Sequence, residues 1–469
     1  MIFSSYLFIF AFFPIVFAGF SLLRMLKKRY LTKVWLVAAS LIFYGIGQPD
    51  FLGVFLASIV VNFLILKVIN RLKSRFGRGF FLLLAVVWNI GLLGYFKYTN
   101  FFLENLNAAF HTAFPMMDIL LPIGISFFTF QILAFTISLF RKDCEMPTLL
   151  DYMCYVTFFP QLIVGPVVKH EELMPQIEEN RFMVLKPENI CRGTLLFSVG
   201  CAKKILIANP MIDYATAFYG GNVVGASAAE TWCGVMCFVF AYYFDFSGYI
   251  DMARGLGHLF GIELPVNFDS PYKATDFGDF WRKWNITISR FFYESIFDNI
   301  FRFGDGYIKL VFAVMATFLV SGLWHGAGWH FIAWGAVNGV LVCVANIRTI
   351  KRRKALPKGL AIFMTFFIGA VIRVLFDCKD LVQALQVYRN MFDVRAFAGW
   401  NELAGFAGDN LSILGLLVLS AVICFALPNS NRISHIRVFK FRHAAAAGAL
   451  LAVSIMYMTK VSAFLYFNF

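Results

Sequence analysis

Long apolar runs recur along the whole chain, near 3–23, 32–47, 50–69, 79–97, 118–140, 190–209, 230–250, 305–321, 329–346, 359–377, 408–427 and 444–461. A membrane-spanning helix needs about 20 such residues, so this pattern limits the fold more than any other feature of the sequence. Composition agrees. Hydrophobic residues make up 60% of the 469 positions and charged residues only 14%, where a soluble domain has roughly 45–50% and about 25%. So few charges cannot solvate the surface of a globule this size. A soluble enzyme, a secreted disulfide scaffold, a disordered chain and a nucleic-acid-binding domain are therefore excluded. The expected fold is an all-α polytopic membrane protein with about 10–12 spans and no sizeable soluble domain.

The formal net charge is +14. Basic residues concentrate in short runs between apolar stretches, from Arg24 to Lys33, Lys67 to Arg78, Arg348 to Lys358 and Arg432 to His443. A polytopic protein that follows the positive-inside rule has this distribution. Loops at 24–33, 67–78, 141–142, 348–358 and 432–443 are expected to be cytoplasmic and the polar stretch 390–408 outside. The first apolar run has no basic residue before it and reads as a span with its N-terminus outside rather than as a cleaved leader. The nine cysteines form no CxxC pair, so neither a disulfide framework nor a metal centre is expected; Cys233 and Cys237 alone are too few ligands.

Two stretches break the pattern of simple rods. CYVTFFPQLIVGP, at 154–166, is too short and too punctuated to span, and reads as a re-entrant segment, which is tolerated where protein surrounds it. The segment 263–294 is polar and aromatic. Asp276 is a predicted N-cap for a helix from Phe277, with Asp279 in its first turn. Continued as one helix, it places Trp281, Trp284 and Ile288 on one face and Arg282, Asn285 and Ser289 on nearby turns, the pattern of an interfacial helix. No Walker, GxSxG, HExxH or dinucleotide motif occurs, and no internal repeat of useful length supports a transporter.

The run SGLWHGAGWHFIAWG, at 321–335, carries the main candidate. His325 sits at the start of a long apolar run among small residues, with Trp324 and Trp329 beside it. An ionisable side chain at membrane depth is costly and marks a site by default, and histidine suits proton transfer near neutrality. His330 falls about 140° further round a helix and reads as structural. Asp245 and Asp251, in YYFDFSGYIDMARGLGHLFG, need partners; Arg254 is spaced to meet Asp251, and His258 reads as packing. Lys203 and Lys204 are placed to snorkel. A buried base beside an amide suits deprotonation of a hydroxyl next to a held thioester, but these residues alone leave proton coupling and transport open.

Taken in order, LPIGISFFTFQ (121–131), FFPQLIVGPVVK (158–169), YFDFSGYIDMARGLGHLFG (243–261), FWRKWNITISRFFYE (280–294), GLWHGAGWHFIAWG (322–335) and FLYFNF (464–469) resemble the membrane-bound O-acyltransferase (MBOAT) superfamily. The resemblance extends over nearly the whole chain and is strongest to the bacterial branch that modifies alginate and teichoic acid. It implies one transmembrane domain over 1–469, with peripheral helices at about 1–110, a catalytic core at about 118–377 and C-terminal helices at about 408–469. It further implies a ring of tilted helices with re-entrant or interfacial helices and a central funnel.

Carried over by position, His325 becomes the general base and Asn285 the second active-site residue. Bacterial members usually have His at the latter position, so an amide there implies positioning rather than proton transfer. Trp281, Arg282, Trp284, Asp245, Ser247, Trp324 and Trp329 become substrate-binding or cavity-lining residues. The resemblance also implies acetyl-CoA as donor, or alternatively an acyl-phosphopantetheine carrier protein, and no metal. The implied acceptor is an extracytoplasmic polysaccharide or peptidoglycan, reached through an SGNH-type O-acetyltransferase or esterase partner, and the implied location is the bacterial cytoplasmic (inner) membrane. D-alanyl transfer to a cell-wall polymer is the alternative, with transport of a polysaccharide or small molecule below it.

Overall fold

A computed structural model describes residues 1–221, 223–302, 304–352, 354–393, 400–436, 438–458 and 464–465, and among these there are helices and no strand. Nine described helices are long and apolar enough to cross a membrane: Phe8–Met25, Arg29–Gly47, Pro49–Arg71, Arg75–Phe110, Pro187–Gly220, Ala228–Leu259, Tyr307–His325, Trp329–Ile350 and Lys358–Asp377. A tenth arises if Leu403–Asp409 and Leu411–Phe425, bent by 83° at their junction, form one broken span. The protein is thus an all-α, multi-pass membrane protein.

Two expected spans come out shorter. The run at 118–140 is helical only over Ile125–Arg141. Pro122 and a left-handed Gly124 (φ 79°) precede it and break any earlier turn. The run at 444–461 is helical over Phe441–Met456, and its last residues lie outside the described set.

The chain divides into two compact units. The first comprises Met1–Gly200, Tyr249–Pro265 and Ile436–Ala463. Helices Pro49–Arg71 and Arg75–Phe110 are locked there by buried Asn62 and Asn89, whose carboxamides donate to each other at 3.3 and 2.7 Å. The punctuated segment forms two short helices, Leu149–Thr157 and Phe159–Leu162, and every residue from 154 to 168 is buried. Its freed backbone groups find side-chain partners. Gln131 and Gln161 both donate to the Tyr155 carbonyl, and Ser40 Oγ accepts from Phe159 N–H at 3.1 Å. Surrounding protein therefore satisfies the broken backbone, as a hydrocarbon setting requires.

The second unit comprises Cys201–Gly248, Val266–His435 and Phe464–Phe469. Its central feature is a hairpin of helices Tyr307–His325 and Trp329–Ile350, joined only by Gly326, Ala327 and Gly328. The two backbones touch at a glycine pair. A Cβ on Gly322 would lie 2.4 Å from the Phe331 carbonyl oxygen, and one on Gly335 would lie 2.4 Å from the Phe318 carbonyl oxygen. Gly335 and Gly339 form a small-xxx-small pair that permits this approach, as in packed membrane helices.

Candidate active site

The glycine-paired hairpin carries His325 on its last helical turn before the Gly326–Gly328 link. Its ring is 7% exposed and is held edge-on by Trp334, 5.0 Å away, and Phe376, 5.2 Å away. Val314, Thr317, Phe318, Ser321 and His325 share one helical face, and all five line a cavity of about 520 Å³. That volume is within the usual range for a small-molecule site. Val342 and Asn346 come from the other arm of the hairpin.

The opposite wall comes from the segment expected to be one interfacial helix. Asp276 caps a helix as expected, its carboxylate accepting from Asp279 N–H at 2.7 Å. This helix, Phe277–Lys283, then stops; Asn285 adopts a left-handed conformation (φ 44°, ψ 53°), and a second helix follows over Ile286–Phe292. The single face uniting Trp281, Trp284 and Ile288 therefore does not form. Trp281, Arg282, Asn285 and Ile288 line the large cavity. Trp284 turns away into an aromatic cluster, stacked at 5.9 Å on Tyr242 and 5.6 Å on Phe280. It lines a separate cavity of about 60 Å³ that Trp281 also borders. The Trp281 indole N–H donates to Asn338 Oδ1 at 3.3 Å.

Asn285 is 3% exposed, and its side-chain oxygen accepts from Asn267 Nδ2 at 3.0 Å. Asn267 was not a sequence candidate. It sits among other polar residues in 263–279, so nothing in the sequence singles it out. Thr317 and Ser321 were more legible, since they stand at helical spacing before His325.

Other candidates lie elsewhere. Asp245 forms a buried ion pair with Lys204 at 2.5 Å, both side chains 1% exposed, and its other oxygen accepts from Leu465 N–H at 3.0 Å. Lys204 is thus not a snorkelling residue. Ser247 accepts from Lys203 Nζ at 3.4 Å. Neither Asp245 nor Ser247 borders the large cavity. Trp324 is buried edge-on to Phe292 at 5.7 Å, while Trp329 is 58% exposed; neither borders it. His330 is buried against Phe331, outside the cavity. Asp251, Arg254 and His258 belong to the first unit and are also buried. Of the terminal motif, only Phe464 and Leu465 are described; Phe464 sets its ring 5.2 Å from Lys204 Nζ.

Residues 80–358, which include both walls of the cavity, match the model of the MBOAT, membrane-bound O-acyltransferase family. The chain belongs to this family. It is accordingly an acyltransferase, and relatives support that class over its full length. The chain is 34% identical to a peptidoglycan O-acetyltransferase of Helicobacter pylori, aligned over 100% of this chain and 98% of that protein. It is 32% identical to a probable alginate O-acetylase AlgI of Azotobacter vinelandii, over 90% and 84% respectively. A teichoic acid D-alanyltransferase of Streptococcus thermophilus is 24% identical, over 50% of this chain and 59% of its own. Both His325 and Asn285 line the cavity within the matched residues.

Proposed function

We propose that this protein transfers acetyl groups from a cytoplasmic thioester towards hydroxyls of an extracytoplasmic polymer, peptidoglycan or another polysaccharide. His325 takes the proton of the acceptor hydroxyl as its oxygen attacks the thioester carbonyl. Asn285 donates its carboxamide N–H to the carbonyl oxygen as negative charge develops there. Collapse of the tetrahedral species breaks the C–S bond, and the imidazolium returns the proton to the departing thiolate. No covalent acyl-enzyme is needed.

The observation that carries this reading is that His325, on a helix end, and Asn285, in a left-handed turn, reach the same 520 Å³ cavity from separate segments. Rigid aromatic walls around His325 favour one ring orientation, as a positioned base requires. Acetyl is preferred to D-alanyl because the relatives named for O-acetylation match over 90–100% of the chain, whereas the D-alanyltransferase matches over 50%. The donor is acetyl-CoA; an acyl-phosphopantetheine carrier protein is the competing source of the same thioester. The setting is the cytoplasmic membrane of a bacterium, and an SGNH-type extracytoplasmic partner completes delivery to the polymer.

The test is transfer of [14C]acetyl from acetyl-CoA into envelope polymer by membranes bearing the wild type or His325→Ala. Wild-type labelling with none above background in a fully inserted variant is expected. Normal labelling by the variant would refute the assignment of His325, and labelling only when an acylated carrier is supplied would move the donor to the carrier.

A further inference from the structure

We propose that Asn267 is a positioning residue that dictates which end of the Asn285 carboxamide faces the cavity. The inference rests on the reading of Asn285 as a hydrogen-bond donor to the acyl carbonyl.

A carboxamide has an accepting end and a donating end of nearly equal shape, so only its partners decide its orientation. Asn285 cannot decide this alone. It is held in a left-handed turn between two short helices and reaches both the cavity and Asn267. Asn267 is 1% exposed, and its orientation is determined by a group that can act in only one way. The backbone N–H of Thr287 donates to Asn267 Oδ1 at 3.0 Å, and a backbone N–H has no accepting alternative. The Thr287 hydroxyl donates to the same oxygen at 2.9 Å. Asn267 must therefore turn its NH2 towards Asn285, where Oδ1 accepts it at 3.0 Å. What remains for the cavity is the Asn285 NH2, which has no hydrogen-bond partner among the described residues.

The backbone reinforces this register. Ile286 N–H donates to the Asn267 carbonyl at 3.0 Å, and Asp269 N–H donates to the Lys283 carbonyl at 2.9 Å. Residues 267–269 thus run as a splint alongside the break between the two helices, and the side-chain relay starts from that splint. A fixed backbone N–H sets one amide, which sets the next, which offers a donor to the substrate. Such a donor needs no reorganisation when charge appears.

Asn267→Asp is the informative change. The new carboxylate still accepts from Thr287 but can no longer donate to Asn285. The Asn285 amide then turns its NH2 to that carboxylate and presents its oxygen to the cavity, removing the donor without deleting it. Asn267→Ala instead frees the amide to adopt either orientation.

The test measures initial rates of [14C]acetyl transfer from acetyl-CoA by membranes, normalised to inserted protein. The set contains wild type, Asn285→Ala, Asn267→Asp, Asn267→Ala and each Asn267 variant combined with Asn285→Ala. Asn267→Asp is expected to lower maximal turnover by roughly 100-fold, the loss of one oxyanion donor, with the acetyl-CoA dependence unchanged. Asn267→Ala falls between this variant and wild type. Neither change lowers the rate further in the Asn285→Ala background, where there is no amide left to orient. A purely structural Asn267 would cut the rate further there and reduce the inserted amount. Should Asn267→Asp fail to accumulate, the Ala pair carries the same comparison. Wild-type turnover in both Asn267 single variants, with Asn285→Ala impaired, overturns the positioning role alone. Wild-type turnover in Asn285→Ala overturns the donor reading and the positioning role with it.

Discussion

Replacing Gly335 with alanine should move His325 without touching it. The added Cβ would sit 2.4 Å from the Phe318 carbonyl oxygen, where ordinary contact begins at 3.4 Å. The obstacle is backbone, so it cannot swing aside as a side-chain tip would. Helices Tyr307–His325 and Trp329–Ile350 must part by about 1 Å or slide along each other. Overpacking of this kind costs roughly 1–3 kcal/mol in stability. The same displacement passes to His325 on the last turn of the first helix, and a misplacement of about 1 Å in a reacting group can cost on the order of 100-fold in rate. Two measurements are needed: thermal unfolding of the detergent-purified protein, and acetyl transfer per inserted molecule. Gly415→Ala is the control. It lies in helix Leu411–Phe425, where an added methyl would meet nothing within 4 Å, so it should be neutral or stabilising by about 0.5–1 kcal/mol. If Gly335→Ala matched wild type in both stability and rate, the hairpin would not be the rigid mount described above.

Removing one partner of the Lys204–Asp245 pair, as in Asp245→Ala, should destabilise the fold by roughly 3–5 kcal/mol, because an uncompensated charge stays buried; the combined Lys204→Met, Asp245→Leu variant should recover most of that loss in the same unfolding assay, with acetyl transfer retained per folded molecule. Trp281→Ala should join the 520 and 60 Å³ cavities that Trp281 borders, and the reading is checked by whether propionyl-CoA gains on acetyl-CoA as donor. Asn62→Ala should lower the melting temperature by removing the reciprocal amide bond to buried Asn89, while leaving the rate per folded molecule unchanged.

What could be read from the sequence were local features and features set by the solvent. The apolar runs located most spans because hydrocarbon imposes length and composition on each helix separately. His325 stood out because small residues and an ionisable ring rarely coincide at membrane depth, and Asp276 was legible as a cap because capping involves only neighbouring residues. The misreadings were non-local. Spacing alone fits Trp281, Trp284 and Ile288 to one continuous helix; the break at Asn285 is held by bonds from residues 267–269, which spacing cannot reveal. Lys204 looked like a snorkelling residue because its partner, Asp245, comes from a different helix. The run at 118–140 is a local exception: its apolar content suits a full span, but Pro122 and Gly124 confine the helix to Ile125–Arg141.

The left-handed backbone at Asn285 also restricts which amino acids can stand there. Apart from glycine, few residues enter that region readily, and asparagine, aspartate and histidine are the ones enriched in it. Glycine offers no side chain and aspartate offers an anion to a developing anion. The neutral donors left are an amide and an imidazole. The turn therefore biases the residue alphabet towards two chemistries before any substrate is met. Variants sought at this position should begin with those two, since any other side chain there bears an added backbone cost.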